Sequence, residues 1–181
     1  MENNHNIFSG KLVKLTSIRP DDAEVMAKWQ EDADYLRRMD SDMAIPLSLK
    51  ELQSQDEESS NHIQFRIRTC QDDRLVGFVA LHGIEWNNGI ASLAIGIGDR
   101  SDRGKGYGKE ALKLILLYAF YELNLHRVGL DVIGNNTPAI RSYTAVGFQE
   151  EGRMREAVYR DGQRYDRIMM SILRREWETH K

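Results

Sequence analysis

Apolar positions in this chain recur with two different periods, and the switches between them divide it into elements. Gly10 to Ile18 (GKLVKLTSI) alternates as a strand does, and Arg19-Pro20-Asp21-Asp22 stops it while supplying residues that start a helix. Ala23, Met26, Ala27 and Trp29 then fall near helical spacing, which predicts a helix over Ala23 to Gln30. Glu31 to Asp34 reads as an acidic loop, and Tyr35 to Ile45 has no clear period. Ser48 followed by Glu51 is a capping-box arrangement, so Leu47 to Ser60 is expected to be an exposed helix that frays from Gln53 onward.

From Ile63 the period becomes two. Ile63, Phe65 and Ile67 alternate with Gln64, Arg66 and Arg68, the pattern of a half-buried strand. A turn at Gln71-Asp72-Asp73 leads into a second strand, Leu75 to Ile84, and Trp86-Asn87-Asn88-Gly89 leads into a third, Ile90 to Gly98. On the third strand Leu93, Ile95 and Ile97 share one face, whereas Ala94, Gly96 and Gly98 leave the other bare enough for a close approach. Lys109 to Leu123 has no internal Gly or Pro and reads as a helix, with Asn124 at its end and a strand over His126 to Ile133 after it. Asn136-Thr137-Pro138 opens a short helix that Gly147 closes, with Ala139, Ile140, Tyr143 and Val146 on its inward face. Two strands, Phe148 to Tyr159 and Arg164 to Leu173, complete the pattern.

Between the third strand and the long helix lies DRSDRGKGYGKEA, a Gly-rich turn placed where phosphate binds best. Glycines 104, 106 and 108 leave successive peptide N–H groups unshielded, the helix N-terminus adds its partial positive charge, and Arg103 and Lys105 add whole charges. A P-loop is excluded, because Asp99 stands where its first Gly belongs and Gly106 where its hydroxyl residue belongs. The G-x-G-x-x-G dinucleotide pattern is excluded too, since the run reads G-x-G-x-G. What fits is R-x-x-G-x-G, carried by Arg103, Gly106 and Gly108. Taken alone, the run also suits a plain connection before a core helix.

Size and charge narrow the partners. A chain of 181 residues suits one domain, and a formal net charge of -3 gives no general attraction to nucleic acid or membranes, so phosphate recognition must be local. The apolar run Leu114 to Tyr121 is far shorter than the roughly 20 residues that span a bilayer, and the N-terminus lacks a signal-peptide pattern. A cytoplasmic location is therefore expected. The single Cys70 excludes an internal disulfide and is expected to be a small buried residue. The histidines are scattered, with no metal-ligand spacing, so no metal is expected.

Taken alone, Tyr143 on the inward face of the short helix reads first as a core aromatic with a satisfied hydroxyl and second as a functional phenol. Asn136, Ala139, Tyr143, Gly147 and Phe148 form N-x-x-A…Y-x-x-x-G-F, and together with R-x-x-G-x-G in this order they resemble the GNAT superfamily of N-acetyltransferases. The resemblance covers roughly Phe65 to Leu173, and Arg160 to Leu173 looks like the branch that acetylates ribosomal-protein N-termini and polyamines. It implies an α/β (α+β) fold: a single mixed, mostly antiparallel, twisted central sheet of six to seven strands flanked by about four helices.

The same resemblance implies direct transfer of acetyl from acetyl-CoA to a primary amine, a peptide or ribosomal-protein N-terminus ranking ahead of a polyamine. A non-catalytic acyl-CoA sensor and a nucleotide-binding protein are the alternatives, and a homodimer is compatible with the resemblance. The backbone of Gly104, Lys105, Gly106, Tyr107, Gly108 and Lys109, with Arg103, would hold the pyrophosphate. The strand edge at Gly96, Ile97 and Gly98 would pair with the pantetheine arm, which Asn136 would help to hold. Tyr143 would protonate or hydrogen-bond the departing thiolate. Many relatives carry Glu where Ser92 stands and acidic residues near Ala80 and Gly83, so the base falls to Glu85, or to His82 if it faces the cleft. Asp34, Asp40 and Asp42 lie where relatives recognise the acceptor.

Overall fold

Seven strands, β1 (Val13–Thr16), β2 (Ile63–Thr69), β3 (Leu75–Glu85), β4 (Ile90–Ile97), β5 (Arg127–Ile133), β6 (Gln149–Arg160) and β7 (Gln163–Leu173), form one sheet. Their order is β1-β2-β3-β4-β5-β7-β6, and every neighbouring pair is antiparallel except β4 and β5. The exception follows from connectivity, because a helix joins β4 to β5 and returns the chain in the same direction. The computed structural model describes residues 6–39, 41–54 and 59–180, so Asp40 lies outside the described residues.

Six α-helices accompany the sheet among the described residues: α1 (Asp22–Trp29), α2 (Ala33–Met39), α3 (Leu49–Ser54), α4 (Tyr107–Leu117), α5 (Thr137–Ala145) and α6 (Arg174–Thr179). That is two more than the pattern predicts. The extra ones, α2 and α6, are short and each buries one large aromatic, Tyr35 in α2 and Trp177 in α6. A single anchor per helix leaves no apolar period to read. Tyr35 packs on Trp29, and Trp177 on Phe120, so tertiary contact fixes both helices. The capping box at the start of α3 forms as predicted, with Ser48 N donating to Glu51 Oε2 at 2.8 Å and Glu51 N to Ser48 Oγ at 3.3 Å.

One sheet face carries the main core. Leu112, Ile115 and Leu116 of α4 pack there against Ile67, Val79, Leu81, Leu93 and Val128. The other face is covered by α1, α2 and α3 through Met26, Trp29, Tyr35 and Leu52. This second layer overturns one expectation. Arg66 and Arg68 occupy the positions of β2 expected to face solvent, yet they are 0% and 5% exposed. Asp22, at the first position of α1, is what permits this: its carboxylate pairs with Arg68, lies 3.6 Å from Arg66 Nε and accepts from Arg19 N at 2.8 Å. Cys70 departs the other way. It is exposed, because β2 ends at Thr69 and the chain turns there.

A carboxylate also fastens the first strand. Glu110 of α4 accepts from the amides of Lys11, Leu12 and Val13 at 3.0, 2.7 and 2.7 Å, so the helix that follows the Gly-rich turn is tied to the sheet's edge strand. Gly10 makes room, since a β-carbon there would come within 2.4 Å of Glu110 Cδ.

Neutralising the carboxylate under α1 leaves buried guanidinium charge uncompensated. Asp22→Asn is expected to lower unfolding stability by about 3–5 kcal/mol, read from the urea midpoint at constant slope.

Candidate active site

The parallel ladder between β4 and β5 lasts for three residue pairs, Ile90 with Arg127, Ala91 with Val128 and Ser92 with Gly129. Past this point β4 pairs only with β3, through Ile97 and Gly77, and β5 only with β7, through Ile133 and Arg167. Leu93–Ile97 and Leu130–Ile133 thus present two facing strand edges that diverge into a cleft of about 1270 Å³. Unpaired edge groups seek a partner, and here they line the site.

Strand alternation sorts the cleft walls. Leu93, Ile95, Ile97, Leu130 and Val132 belong to the core side, toward α4. Ser92, Ala94, Gly96, Gly129, Asp131, Met169 and Arg167 belong to the side covered by α1 and α2, as the register links Ser92 to Gly129, Asp131 to Met169 and Ile133 to Arg167. The cleft therefore runs through the sheet from one face to the other. The bare face of β4 has a different use from the one expected. A β-carbon at Gly98 would come within 2.0 Å of Trp29 Cδ2, and one at Gly96 within 2.7 Å of Met39 Sδ. The close approach that these glycines allow is that of α1 and α2.

At the mouth, Asp99 caps a 3-10 turn, Arg100–Asp102, by accepting from Ser101 N at 2.7 Å. Asp102, 2% exposed, then holds the turn by accepting from both terminal nitrogens of Arg74, at 2.6 and 2.9 Å, and from Lys105 Nζ at 3.3 Å. The bonds from Arg74, first among the causes, draw the Asp102 carboxyl below its ordinary range. Gly104 and Gly106 adopt φ of +77° and +88°, a conformation that strains any residue with a β-carbon, and a β-carbon at Gly104 would meet only open space. The first amide of α4 to find a backbone acceptor is that of Glu110, bonded to Gly106 O at 3.0 Å. Among the described residues, the amides of Gly104 to Lys109 have no backbone acceptor, so this stretch is a ready anion cradle.

Arg103 lines the cleft but directs its guanidinium away from that cradle. It donates to Asp34 Oδ2 at 2.9 Å, Asp32 Oδ2 at 3.2 Å and Gly98 O at 3.0 Å. Asp34 is also bonded by Arg38 at 2.8 Å, which is the main reason its carboxyl lies below the ordinary range. The acidic residue expected to meet a cationic acceptor is thus already neutralised. Asp42, the other of the three that lies among the described residues, offers its backbone carbonyl to Arg160 at 2.7 Å, and Arg37 of α2 pairs with Asp161 at 2.8 Å, so the β6–β7 turn clasps α2 and the segment after it.

Asn136 caps α5, its side chain accepting from Ala139 N at 3.4 Å, and Gly147, at φ +104°, ends the helix region as predicted. Tyr143 is partly buried, packs on Phe148 with ring centres 5.8 Å apart and lines the cleft together with Ala139 and Ser142. Burial pushes its hydroxyl up to about 12. His82 lines the cleft opposite Ser92, and burial, with the nearby His62, lowers it from 6.5. Glu85 is not among the lining residues. A register break between His82 and Glu85 carries it to the strand end, where it accepts from Asn88 Nδ2 at 2.5 Å.

Among the lining residues that the sequence expectations did not name are Asp131, Glu151 and Arg167. Asp131 had a visible signal, a lone charge in the apolar strand VGLDVI. Glu151 had none, because a register shift between Glu150 and Gly152 brings it to Arg127 and to Ser171 Oγ, the latter at 2.7 Å. The Ser171 bond comes first among the causes that draw its carboxyl below the ordinary range. Among the described residues no three His, Cys, Asp or Glu side chains gather as metal ligands, and no helix is long and apolar enough to cross a membrane.

Comparison with known proteins agrees with this geometry. The acetyltransferase (GNAT) domain family matches residues 13–149. An SPbeta prophage-derived uncharacterized N-acetyltransferase, YokL of Bacillus subtilis (strain 168), is 30% identical over 174 residues, 96% of each chain. The putative ribosomal N-acetyltransferase YdaF of the same organism is 34% identical over 110 residues, 61% of this chain and 60% of its own. In fold, the chain resembles the crystal structure of spermidine N-acetyltransferase from Vibrio cholerae in complex with CoA and spermine, with a TM-score of 0.83 at 24% identity over 93% of this chain and 99% of that one.

Arg103 ties the loop before α2 to the end of β4. Arg103→Ala is expected to speed amide hydrogen exchange across residues 32–39 while leaving β2 and β3 unchanged.

Proposed function

The chain belongs to the GNAT acetyltransferase family and is an acetyl-CoA-dependent N-acetyltransferase, and from this premise we propose that the cleft between β4 and β5 joins acetyl-CoA to a primary amine, preferably a peptide N-terminus. The observation that carries the reading is the set of unpaired backbone groups on both sides of one cleft. Amides 104–109 suit a pyrophosphate, the Leu93–Ile97 edge suits an amide-bearing arm, and the positive-φ glycines of the turn leave the cradle open. Asn136 would help to hold that arm, with Arg103 acting on the cradle through the shape of the turn.

Acetyl-CoA supplies an activated acyl carbon. On the α1 and α2 side the amine must lose a proton before it attacks, and neutral His82 on that wall is the base we assign, directly or through water. As the new C–N bond forms and the C–S bond breaks, charge develops on sulfur, where Tyr143 donates a hydrogen bond. Its acidity decides the form of this help. A hydroxyl at about 12 facing an ordinary thiol at about 8.5 makes complete proton transfer uphill by about 5 kcal/mol, so Tyr143 stabilises the thiolate chiefly by hydrogen bonding.

A peptide N-terminus ranks first because Asp34 and Glu151 are held by arginines, which among the described residues leaves Asp131 as a single unpaired carboxylate on the acceptor wall, enough for one ammonium but not for a polycation. A polyamine is the second reading, supported by the 30% identity, over 129 residues, of a Vibrio cholerae spermidine N(1)-acetyltransferase. An amine panel assayed by thiol release distinguishes them, and acetyl-CoA binding without thiol release for any amine would instead favour a sensor.

Tyr143→Phe is expected to lower kcat about 100-fold, with little change in the KM for acetyl-CoA; unchanged turnover would remove Tyr143 from the chemistry. His82→Gln is expected to abolish an acidic limb of kcat whose midpoint lies below 6.5. The sign follows from the base being active when neutral, so wild-type kcat rises as pH passes upward through that value.

A further inference from the structure

Resting on the acetyl-transfer reading, we propose that the preferred acceptor carries its own carboxylate a few bonds from the amine, with the ammonium facing Asp131 and the carboxylate facing Arg167. The inference starts from which charges in the cleft are already used. Asp34 is held by Arg38, Arg100 and Arg103, Arg127 pairs with Glu151, and Asp102 pairs with Arg74 and Lys105. Of the remaining Asp, Glu, Lys and Arg residues that line the cleft, Lys109 lies at the helix N-terminus on the cofactor side. Asp131 and Arg167 are left, and among the described residues neither has a hydrogen-bond or ion-pair partner for its side chain.

Their placement makes them one recognition unit. Asp131 sits opposite Met169 in the β5–β7 ladder, and Arg167 lies two residues further along β7 on the same face, a diagonal neighbour at a spacing of about 7–8 Å, somewhat less between β-carbons. They are opposite in sign and close in the ladder, yet they do not bond each other. Arg167 Nε is sealed from water without an acceptor, an arrangement that costs stability unless a ligand supplies one. The pair lies on the acceptor side of the sheet, beyond the Ser92–Gly129 contact where the strands part. An ammonium alone satisfies only half of it, and a polyamine places further positive charge against Arg167. An amine with a neighbouring carboxylate satisfies both, and a guanidinium can take a carboxylate by two parallel bonds.

Two sources offer this chemistry: a free amino acid, and a peptide that begins with an acidic residue. The test measures CoA release from acetyl-CoA with matched acceptors, a set of α-amino acids against their amides and amidated peptides beginning with Glu against those beginning with Gln, with spermidine alongside. In wild type, one matched series is expected to favour the carboxylate member by roughly tenfold or more in kcat/KM, and the series that does so identifies the source. Arg167→Glu is expected to reverse the preference and Arg167→Gln to erase it, mainly through KM. Asp131→Asn should raise the acceptor KM in every series. Comparing ratios between proteins cancels differences in amine basicity, and a retained thermal shift with acetyl-CoA shows that each variant is folded. A ratio that is the same in wild type and both Arg167 variants, or spermidine outpacing every carboxylate-bearing amine, overturns the proposal while leaving acetyl transfer intact. No CoA release with any amine overturns both.

Discussion

Three rungs of parallel ladder hold the two halves of this sheet together, and the loss of pairing beyond Ser92 and Gly129 is the constraint on which the rest of the site depends. Strand edges in a sheet interior are normally costly, because each unpaired N–H or C=O has left water. Here the cost is limited from both sides. β4 stays fully laddered to β3 and β5 to β7, so the sheet can open at its centre without unravelling, and the opening admits solvent or a ligand to the freed groups. The connection from β4 to α4 then places a helix N-terminus at the mouth of the same opening. Two binding features, a strand edge and an anion cradle, therefore arise from one topological event.

The two sides of the cleft are linked by charge. Arg103, which the R-x-x-G-x-G pattern assigns to phosphate, bonds the carbonyl that ends β4 and the carboxylates before and within α2. It connects the cofactor turn to the acceptor wall, and with Arg38 it consumes the acidity that would otherwise draw a cation to Asp34. A similar arrangement lies beneath α1, where one aspartate allows two arginines to occupy a buried sheet face. Local ion pairing, rather than the net charge of the chain, sets the electrostatic character of each surface.

Much of this architecture was legible because its signals are local. Period-two runs marked β2 to β4, the cap at Ser48 and the stop at Gly147 formed as read, and Tyr143 faces inward with Ala139 and Ile140. The misreadings involve a second layer. Arg66 and Arg68 look solvent-facing in a sequence that does not show α1 above them, α2 and α6 each rest on a single aromatic, and the glycines of β4 accommodate Trp29 and Met39 from a distant segment. Glu85 and Glu151 depend on register breaks, which add or skip one position and so reassign every later side chain to the other face.

By itself the sequence determined the strands, the helices other than α2 and α6, the Gly-rich turn and the aromatic opposite it, since propensity, capping and positive φ are decided within a few residues. The tertiary structure alone decided where pairing between β4 and β5 stops, which carboxylates are already neutralised and that Asp131 and Arg167 share one wall with no partner among the described residues. Those facts depend on register between segments far apart in the chain, and register is fixed by the packing of whole faces.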